Sequence, residues 1–191
     1  MADRTALAES SQALFCAIAD FLGERKSKKV FDDKNSDYGS SWRVLRVSSF
    51  VDQIHIKAQR IRNLQINEDQ QIDEGQATEF IGIINYCIMS LIQIHLGIVD
   101  EPDLTGSEAI ELYDNKVNDT FELMLKKNYD YGEAWRDMEI SSLTDLIIQK
   151  IFRMKSINNN DGETISSEGV ESNFQDILNY SVFALILLKT Y

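Results

Sequence analysis

Apolar residues recur along most of the chain at spacings of three and four, the pattern of helices that bury one face. The sequence contains a single proline, Pro102, so little interrupts these helical stretches. We therefore predict an all-α protein. The predicted helices cover residues 5–24, 49–64, 74–96, 107–126, 142–157 and 168–189.

The third predicted helix is apolar nearly all round, which favours a position at the centre of the fold. Its apolar run Phe80–Leu96 is interrupted by Asn85, Gln93 and His95, so it indicates a buried helix and no membrane span. Asn85, and Asn179 in the last helix, need hydrogen-bond partners either within the protein or in a ligand.

One polar stretch occurs twice. The sequence KNSDYGSSWR at residues 34–43 returns 93 residues later as KNYDYGEAWR at residues 127–136. Without gaps, residues 34–64 and 127–157 are identical at 13 of 31 positions. After one inserted residue, the identities continue at Gly75 and Gly169, Phe80 and Phe174, Asn85 and Asn179, and Tyr86 and Tyr180. This is a tandem duplication.

The repeat period is too long for a solenoid unit and approaches the size of a small domain. We therefore predict two three-helix units packed as an intramolecular pseudo-dimer helical bundle, in one compact globular unit. The first repeat is assigned to residues 1–97 and the second to 107–191, with 98–106 as linker. The whole chain is expected to be a monomer or a homodimer.

The chain carries a formal charge of −12, which argues against a polymeric nucleic acid as partner. A single nucleotide is still compatible, since it needs only two or three local cations or a metal ion. The two cysteines, Cys16 and Cys87, lie on apolar helical faces and are predicted to be buried free thiols. Together these features predict a cytoplasmic protein.

The repeated motifs are predicted to lie in polar loops over residues 32–41 and 127–141. Gly39 and Gly132 are expected to adopt positive φ in tight turns. Two interpretations of the motif aromatics stay open: the tryptophans plug the end of the bundle, or the aromatics stack on a nucleotide base. The candidate base contacts are Tyr38, Trp42, Tyr131 and Trp135.

A serine and an aspartate three residues apart precede an apolar run in each repeat. Ser49 with Asp52, and Ser142 with Asp145, match the spacing of a capping box. We therefore predict that these residues cap the helices over residues 49–64 and 142–157, with a metal role as the alternative for the two aspartates.

Lys57 and Lys150 fall near the apolar faces of their helices. A lysine there must extend to solvent, pair with a carboxylate or meet a ligand, because an unpaired buried charge is very costly. One interpretation is a structural ion pair with Asp37 or Asp130. The other is phosphate binding, for which the candidates are Lys57, Arg60, Lys150 and Arg153.

The two repeats differ in their acids. Asp176 stands where the first repeat has Gly82, and Asn173 stands where it has Glu79. If one repeat holds a metal centre, we expect the second. Carboxylates that could hold Mg²⁺ are Asp37, Asp130 and Asp176, and those that could act in catalysis are Asp130, Asp145 and Asp176.

The repeated string Lys-Asn-x-Asp-Tyr-Gly-x-x-Trp-Arg, followed by Ser-Ser-x-x-Asp, Lys-x-x-Arg and Phe-x-x-Ile-x-Asn-Tyr, resembles the nucleotide-modification-associated helical domain family of bacteria and phages in its tandem form. The resemblance covers about residues 34–96 and 127–188 and implies a role connected with nucleotides.

A more distant similarity is to the all-α nucleoside triphosphate pyrophosphohydrolases of the MazG and dimeric dUTPase type. Those enzymes hold Mg²⁺ with Glu-Glu-x-x-Glu on one helix and Glu-x-x-Asp on another. This chain has no Glu-Glu-x-x-Glu, and Asn173 stands three residues before Asp176 where that pattern has Glu.

Two functions follow as hypotheses. The first is nucleoside phosphate binding, with Mg²⁺-dependent pyrophosphate hydrolysis or an accessory role in nucleotide modification. The second is a non-enzymatic protein-interaction module, in which the repeated polar residues form structural ion pairs.

Overall fold

The computed structural model describes residues 27–67, 75–159 and 169–188, which form six α-helices with no strand among them. The helices are α1 (Ser27–Tyr38), α2 (Val47–Ile66), α3 (Gln76–Leu96), α4 (Gly106–Tyr131), α5 (Ile140–Asn159) and α6 (Val170–Leu187). Short 3₁₀ turns, Ser41–Val44 and Ala134–Asp137, follow α1 and α4. The predicted helix over residues 5–24, with Cys16, lies outside the described residues.

Helices α2, α3, α5 and α6 form a four-helix bundle. Within each repeat, α2 packs on α3 and α5 packs on α6; between the repeats, α2 packs on α5 and α3 on α6. Within this bundle, each contact between repeats therefore joins equivalent helices, as in the self-complementary interface of a two-fold dimer.

Two ion pairs between the repeats show the same symmetry. Asp52 pairs with Lys155 at 2.8 Å, and Asp145 pairs with Arg62 at 3.5 Å. Asp145 is the repeat equivalent of Asp52, and Lys155 is the equivalent of Arg62. The ion pair and its symmetry-related counterpart are both present, which confirms that the duplicated units pack as a pseudo-dimer.

One continuous hydrophobic core runs through both repeats. Its residues recur on the predicted inner faces, because positions three and four apart share one side of a helix. Fully buried members include Phe50, Ile54, Ile61, Phe80 and Ile83 from the first repeat and Leu143, Ile147, Ile151, Phe174 and Ile177 from the second.

Helix α3 lies at the centre of the bundle, as predicted. It is the one helix of the described ranges that is long and apolar enough to cross a membrane, but 61% of its apolar window is buried inside the protein. This is the behaviour of a core helix. Cys87 on this helix is a fully buried free thiol, and burial raises its pKa well above the ordinary value.

The predicted motif loops are wrong in their extent, because α1 and α4 continue through the polar residues to Tyr38 and Tyr131. Each helix ends at a motif glycine in the left-handed region, with φ of 60° at Gly39 and 61° at Gly132. The glycine amides donate to carbonyls one turn back, as expected for a helix C-terminus. The polar composition suggested loops, but burial of one helix face, with Phe31 in α1, outweighs weak helix propensity.

The predicted capping boxes are also wrong. Helix α2 begins at Val47 and α5 at Ile140, so Ser49 and Ser142 lie within the first turns. The described helices do have one capping box, at the start of α4: Thr105 Oγ1 accepts from the amide of Glu108 at 3.3 Å, and the Thr105 amide donates to the Glu108 carboxylate at 2.8 Å.

The segment between the repeats is held by a buried arginine of the first motif. Arg43 is 1% exposed and binds Asp103 through two nitrogens, at 2.8 and 3.1 Å. It also donates to the carbonyl of Gly97 at 2.8 Å and to the Gln93 side chain. The equivalent Arg136 is exposed and pairs with the nearby Glu133 at 2.7 Å. The two motifs therefore have different structural roles.

Candidate functional site

A cavity of about 540 Å³ lies in the first repeat, between α1, the following 3₁₀ turn, α2 and α3. We call it the first-repeat cavity. Its volume is within the range of small-molecule binding sites in proteins. Eight of its lining residues are identical in the two repeats: Lys34, Asn35, Tyr38, Gly39, Trp42, Lys57, Asn85 and Tyr86.

The lining of the first-repeat cavity is cationic and largely apolar. Among the lining residues that the structure describes, Lys34 and Lys57 are the charged ones and none is a carboxylate. Phe31, Trp42 and Leu45 contribute apolar wall, while the amide of Asn35 adds polar atoms. Such a lining suits an anion that carries a planar or apolar group.

Two buried polar atoms of lining residues lack a hydrogen-bond partner within the described structure. They are Nε1 of Trp42 and Oδ1 of Asn35. The Asn35 amide nitrogen donates to the carbonyl of Gly106 at 3.0 Å, so the side chain is already fixed from one side. Buried polar atoms are normally paired, so these two atoms could pair with water or a ligand.

Lys57 is held by Glu79, not by the predicted Asp37. Its Nζ lies 3.1 Å from one carboxylate oxygen of Glu79, and Arg60 binds the other oxygen. Glu79 is 3% exposed, so it is a buried carboxylate with two cationic partners. The pair orients Lys57 at the cavity wall.

Gly82 gives the Lys57 side chain its space. A Cβ atom built on Gly82 would lie 2.6 Å from Cε of Lys57 and 2.9 Å from its Nζ. The absence of a side chain at position 82 therefore lets the lysine pass across α3. The sequence comparison noted Gly82 only as the counterpart of Asp176, and its effect on Lys57 was missed.

Lys34 is the second cation of the first-repeat cavity. Its side chain is exposed, and it has no ion-pair partner within the parts of the chain that the structure describes. Lys34 was not among the predicted site residues. Its presence in both repeated motifs was the signal that could have identified it.

In the second repeat, the equivalent lysines share one carboxylate. Asp176 Oδ1 lies 2.6 Å from Lys127 Nζ, and Asp176 Oδ2 lies 2.8 Å from Lys150 Nζ. Burial raises the pKa of Asp176, but the hydrogen bonds and charges of the two lysines outweigh it, so its pKa is below the usual value. Lys150 was expected to pair with Asp130, but Asp130 is exposed and the partner is Asp176.

The acids assigned to Mg²⁺ and catalysis do not form a metal centre. Asp37 and Asp130 are exposed at the ends of α1 and α4, and Asp145 pairs with Arg62. Asp176 is engaged by two lysines. Over residues 27–67, 75–159 and 169–188, no group of three or more His, Cys, Asp or Glu side chains is placed to hold a metal ion. These residues therefore do not fit the expected magnesium site.

The structure places the four predicted base-contacting residues in different surroundings. Tyr38 and Trp42 both line the first-repeat cavity, with Tyr38 70% exposed and Trp42 buried. Tyr131 is 76% exposed. Trp135 is buried and stacks on Phe183 with ring centroids 4.5 Å apart. Both tryptophans are therefore buried, as the plug interpretation expects.

The remaining candidate residues are two arginines and two asparagines. Arg153 is exposed, whereas its counterpart Arg60 binds Glu79. Asn85 donates to the carbonyl of Ser27 at 3.0 Å and accepts from the Tyr113 hydroxyl at 2.7 Å, so it braces α1 and α4 against α3. The equivalent Asn179 is also buried, and its Oδ1 has no partner within the described structure.

Comparison with known proteins identifies the repeats. A family model described as nucleotide modification associated domain 1 matches residues 34–94 and again residues 127–188. No curated protein and no solved structure matches the chain. The two matches coincide with the repeats found in the sequence and together cover more than half of it. The chain therefore belongs to the nucleotide modification associated domain 1 family and carries two copies of that domain.

Proposed function

We propose that the first-repeat cavity binds a nucleoside phosphate. In this proposal Lys34 and Lys57 hold the phosphate, and Tyr38 and Trp42 contact the base. The observation that carries it is the convergence of eight repeated residues, among them both lysines and both aromatics, on one open cavity. The name of the family also supports a connection with nucleotides.

The charges around Lys57 favour an anionic ligand. Lys34 and Lys57 both lie on the wall of the first-repeat cavity, and no carboxylate is among the lining residues that the structure describes. Charge-assisted hydrogen bonds from ammonium groups to phosphate oxygens are about twice as strong as neutral ones. Arg60 acts through Glu79, which it holds in place, and so serves as a positioning residue for Lys57.

The proposal is binding, in an accessory role in nucleotide modification, and not hydrolysis. Pyrophosphate hydrolysis of the MazG type needs helical carboxylates at the phosphates, and the described residues that line the first-repeat cavity include no carboxylate. Any Mg²⁺ would enter as the counter-ion of a nucleoside di- or triphosphate.

A second candidate function is the non-enzymatic protein-interaction module. It is favoured by the second repeat, where Lys127, Lys150 and Asp176 form an internal ion-pair group. This candidate predicts no response to nucleotides. It also predicts that Lys57→Met is tolerated better when Glu79 is replaced as well, because the buried carboxylate otherwise loses one of its two cationic partners.

The test is a thermal-shift panel of nucleoside mono-, di- and triphosphates with and without Mg²⁺, with the parent nucleosides and inorganic phosphate as controls. A ligand that binds only the folded state raises the Tm by mass action. We expect a rise for one class of nucleoside phosphate, and a much smaller rise for its nucleoside.

Lys34→Met should abolish that rise and leave the Tm of the free protein nearly unchanged, because Lys34 is exposed. Lys29→Met is the matched control, since Lys29 is an exposed lysine of the same helix outside the cavity lining. If no nucleotide raises the Tm, or if the Lys34→Met protein keeps the full response, the proposed site is wrong.

A further inference from the structure

We propose that Asp176 occupies, in the second repeat, the position that the ligand's anionic group takes in the first. The chain then has one anion site, between Lys34 and Lys57 beside Gly82, and binds one ligand. This inference rests on the proposed function and defines where the phosphate lies.

The two repeats carry equivalent pairs of lysines. Lys34 and Lys57 in the first repeat correspond to Lys127 and Lys150 in the second. The identities at Phe80 and Phe174 and at Asn85 and Asn179 align α3 with α6. In that alignment Gly82 corresponds to Asp176, so the equivalent lysines share a cavity wall with a glycine in one repeat and bind a carboxylate in the other.

The geometry of the second repeat shows how such a lysine pair holds an anion. Each lysine binds a different oxygen of Asp176, at 2.6 Å from Lys127 and 2.8 Å from Lys150. The anionic group therefore presents two oxygens from one central atom. A carboxylate does this, and so does a phosphate, which has the same charge-assisted hydrogen-bonding capacity.

Among the described residues of the first repeat, no internal anion lies at this position. Gly82 supplies no side chain, and Lys34, Lys57 and Gly82 all lie on the wall of the open first-repeat cavity. Glu79 does not replace the missing carboxylate, because it lies one turn earlier on α3 and binds Lys57 and Arg60. Lys34 is left without an anionic partner among the described residues, and an external anion can complete the arrangement.

The first experiment transfers the acids of the second repeat to the first. The double variant Glu79→Asn, Gly82→Asp places in α3 the residues that stand at the equivalent positions of α6, which are Asn173 and Asp176. The packing of α5 on α6 already accommodates these two residues. We expect its carboxylate to bind Lys34 and Lys57 and to weaken inorganic phosphate and nucleoside monophosphate binding by at least about tenfold. Glu79→Asn, Gly82→Asn is the control of similar size without the charge, and it should weaken binding less.

The reciprocal experiment opens the second site. The double variant Asn173→Glu, Asp176→Gly copies the first repeat, and titration calorimetry with the nucleoside phosphate found in the thermal-shift panel should change from one ligand per chain to two. Its Tm in the absence of ligand shows whether the variant is folded. A folded variant that still binds one ligand per chain would overturn the inference.

These outcomes separate the two proposals. If the wild-type chain binds neither nucleoside phosphates nor inorganic phosphate, the proposed function fails and this inference fails with it. If the wild-type chain binds a nucleoside phosphate and the Glu79→Asn, Gly82→Asp variant binds it with an unchanged Kd, only the location of the anion site is wrong.

Discussion

Glu79 and Asp176 each neutralise a lysine that lies near the apolar face of its helix, from positions one helical turn apart. Glu79 reaches Lys57 from the first turn of α3, and Asp176 reaches Lys150 from the second turn of α6. The change of position leaves Lys57 accompanied by Arg60, whereas Lys150 shares its acid with Lys127. A difference of one turn thus separates an open cationic cavity from an internally paired group.

Asp176→Asn should lower the free energy of unfolding at neutral pH by about 2–4 kcal/mol, because it leaves two lysines without their carboxylate. The pKa of Asp176 is below its usual value, so its stabilisation is present above the unfolded-state pKa of about 3.9 and is lost as the pH falls through the lower folded-state pKa. The difference in the free energy of unfolding between the wild type and Asp176→Asn should therefore become smaller in acid. Urea unfolding at pH 7 and at a series of pH values below 4 measures it.

The matched control is Asp130→Asn, which alters an exposed acid and should change stability by less than about 0.5 kcal/mol. Equal effects of the two substitutions would contradict the role given to Asp176. So would a difference at Asp176 that persists unchanged in acid.

At the scale of elements, α1 and α4 both end at a motif glycine, yet the residues beyond that glycine have diverged. After α1, Ser40 donates to the carbonyl of Leu104 at 2.8 Å, and Arg43 binds Asp103. After α4, Glu133 and Arg136 pair with each other at the surface. The first motif is therefore joined to the segment between the repeats, and we infer that this contact fixes the α1 side of the cavity.

Arg43→Met should destabilise the protein by about 2–4 kcal/mol, because it removes a buried charge and leaves the Gln93 and Gly97 oxygens without their donor. Arg136→Met, at the equivalent exposed position, should cost less than about 1 kcal/mol. Chemical denaturation of both variants gives the comparison. Similar losses for the two arginines would refute the unequal roles of the motifs.

At the scale of the whole molecule, the two repeats share one core. The cross-repeat packing of α2 on α5 and of α3 on α6 means that neither repeat can lose its structure without exposing apolar surface of the other. A continuous core of this size predicts a single cooperative unfolding transition.

The two tryptophans allow the unfolding of each repeat to be followed separately, since Trp42 lies in the first repeat and Trp135 in the second. In the variants Trp42→Phe and Trp135→Phe, the fluorescence of the remaining tryptophan reports one repeat. We expect its transition to coincide with the loss of helical circular dichroism in each variant. Two separated transitions within one variant would show that the repeats unfold as independent domains.

The helical class, the duplication and the inner faces of α2 and α5 could all be derived from the sequence. Helical periodicity is a local property, and repeated identity is visible without a structure. The alignment of the two motifs identified Gly39 and Gly132 as turn residues, because positive φ strongly favours glycine. It did not find the continuation of α1 and α4 through the polar motifs, since tertiary burial there outweighs local propensity.

The partners of the lysines depended on tertiary structure. Lys57 and Glu79 lie on different helices, and so do Lys150 and Asp176, so each pairing is set by how those helices pack. The predicted partners, Asp37 and Asp130, were chosen from nearness in the chain and are exposed. The first-repeat cavity is likewise a space between elements that are distant in sequence, and a pattern along one chain cannot show such a space.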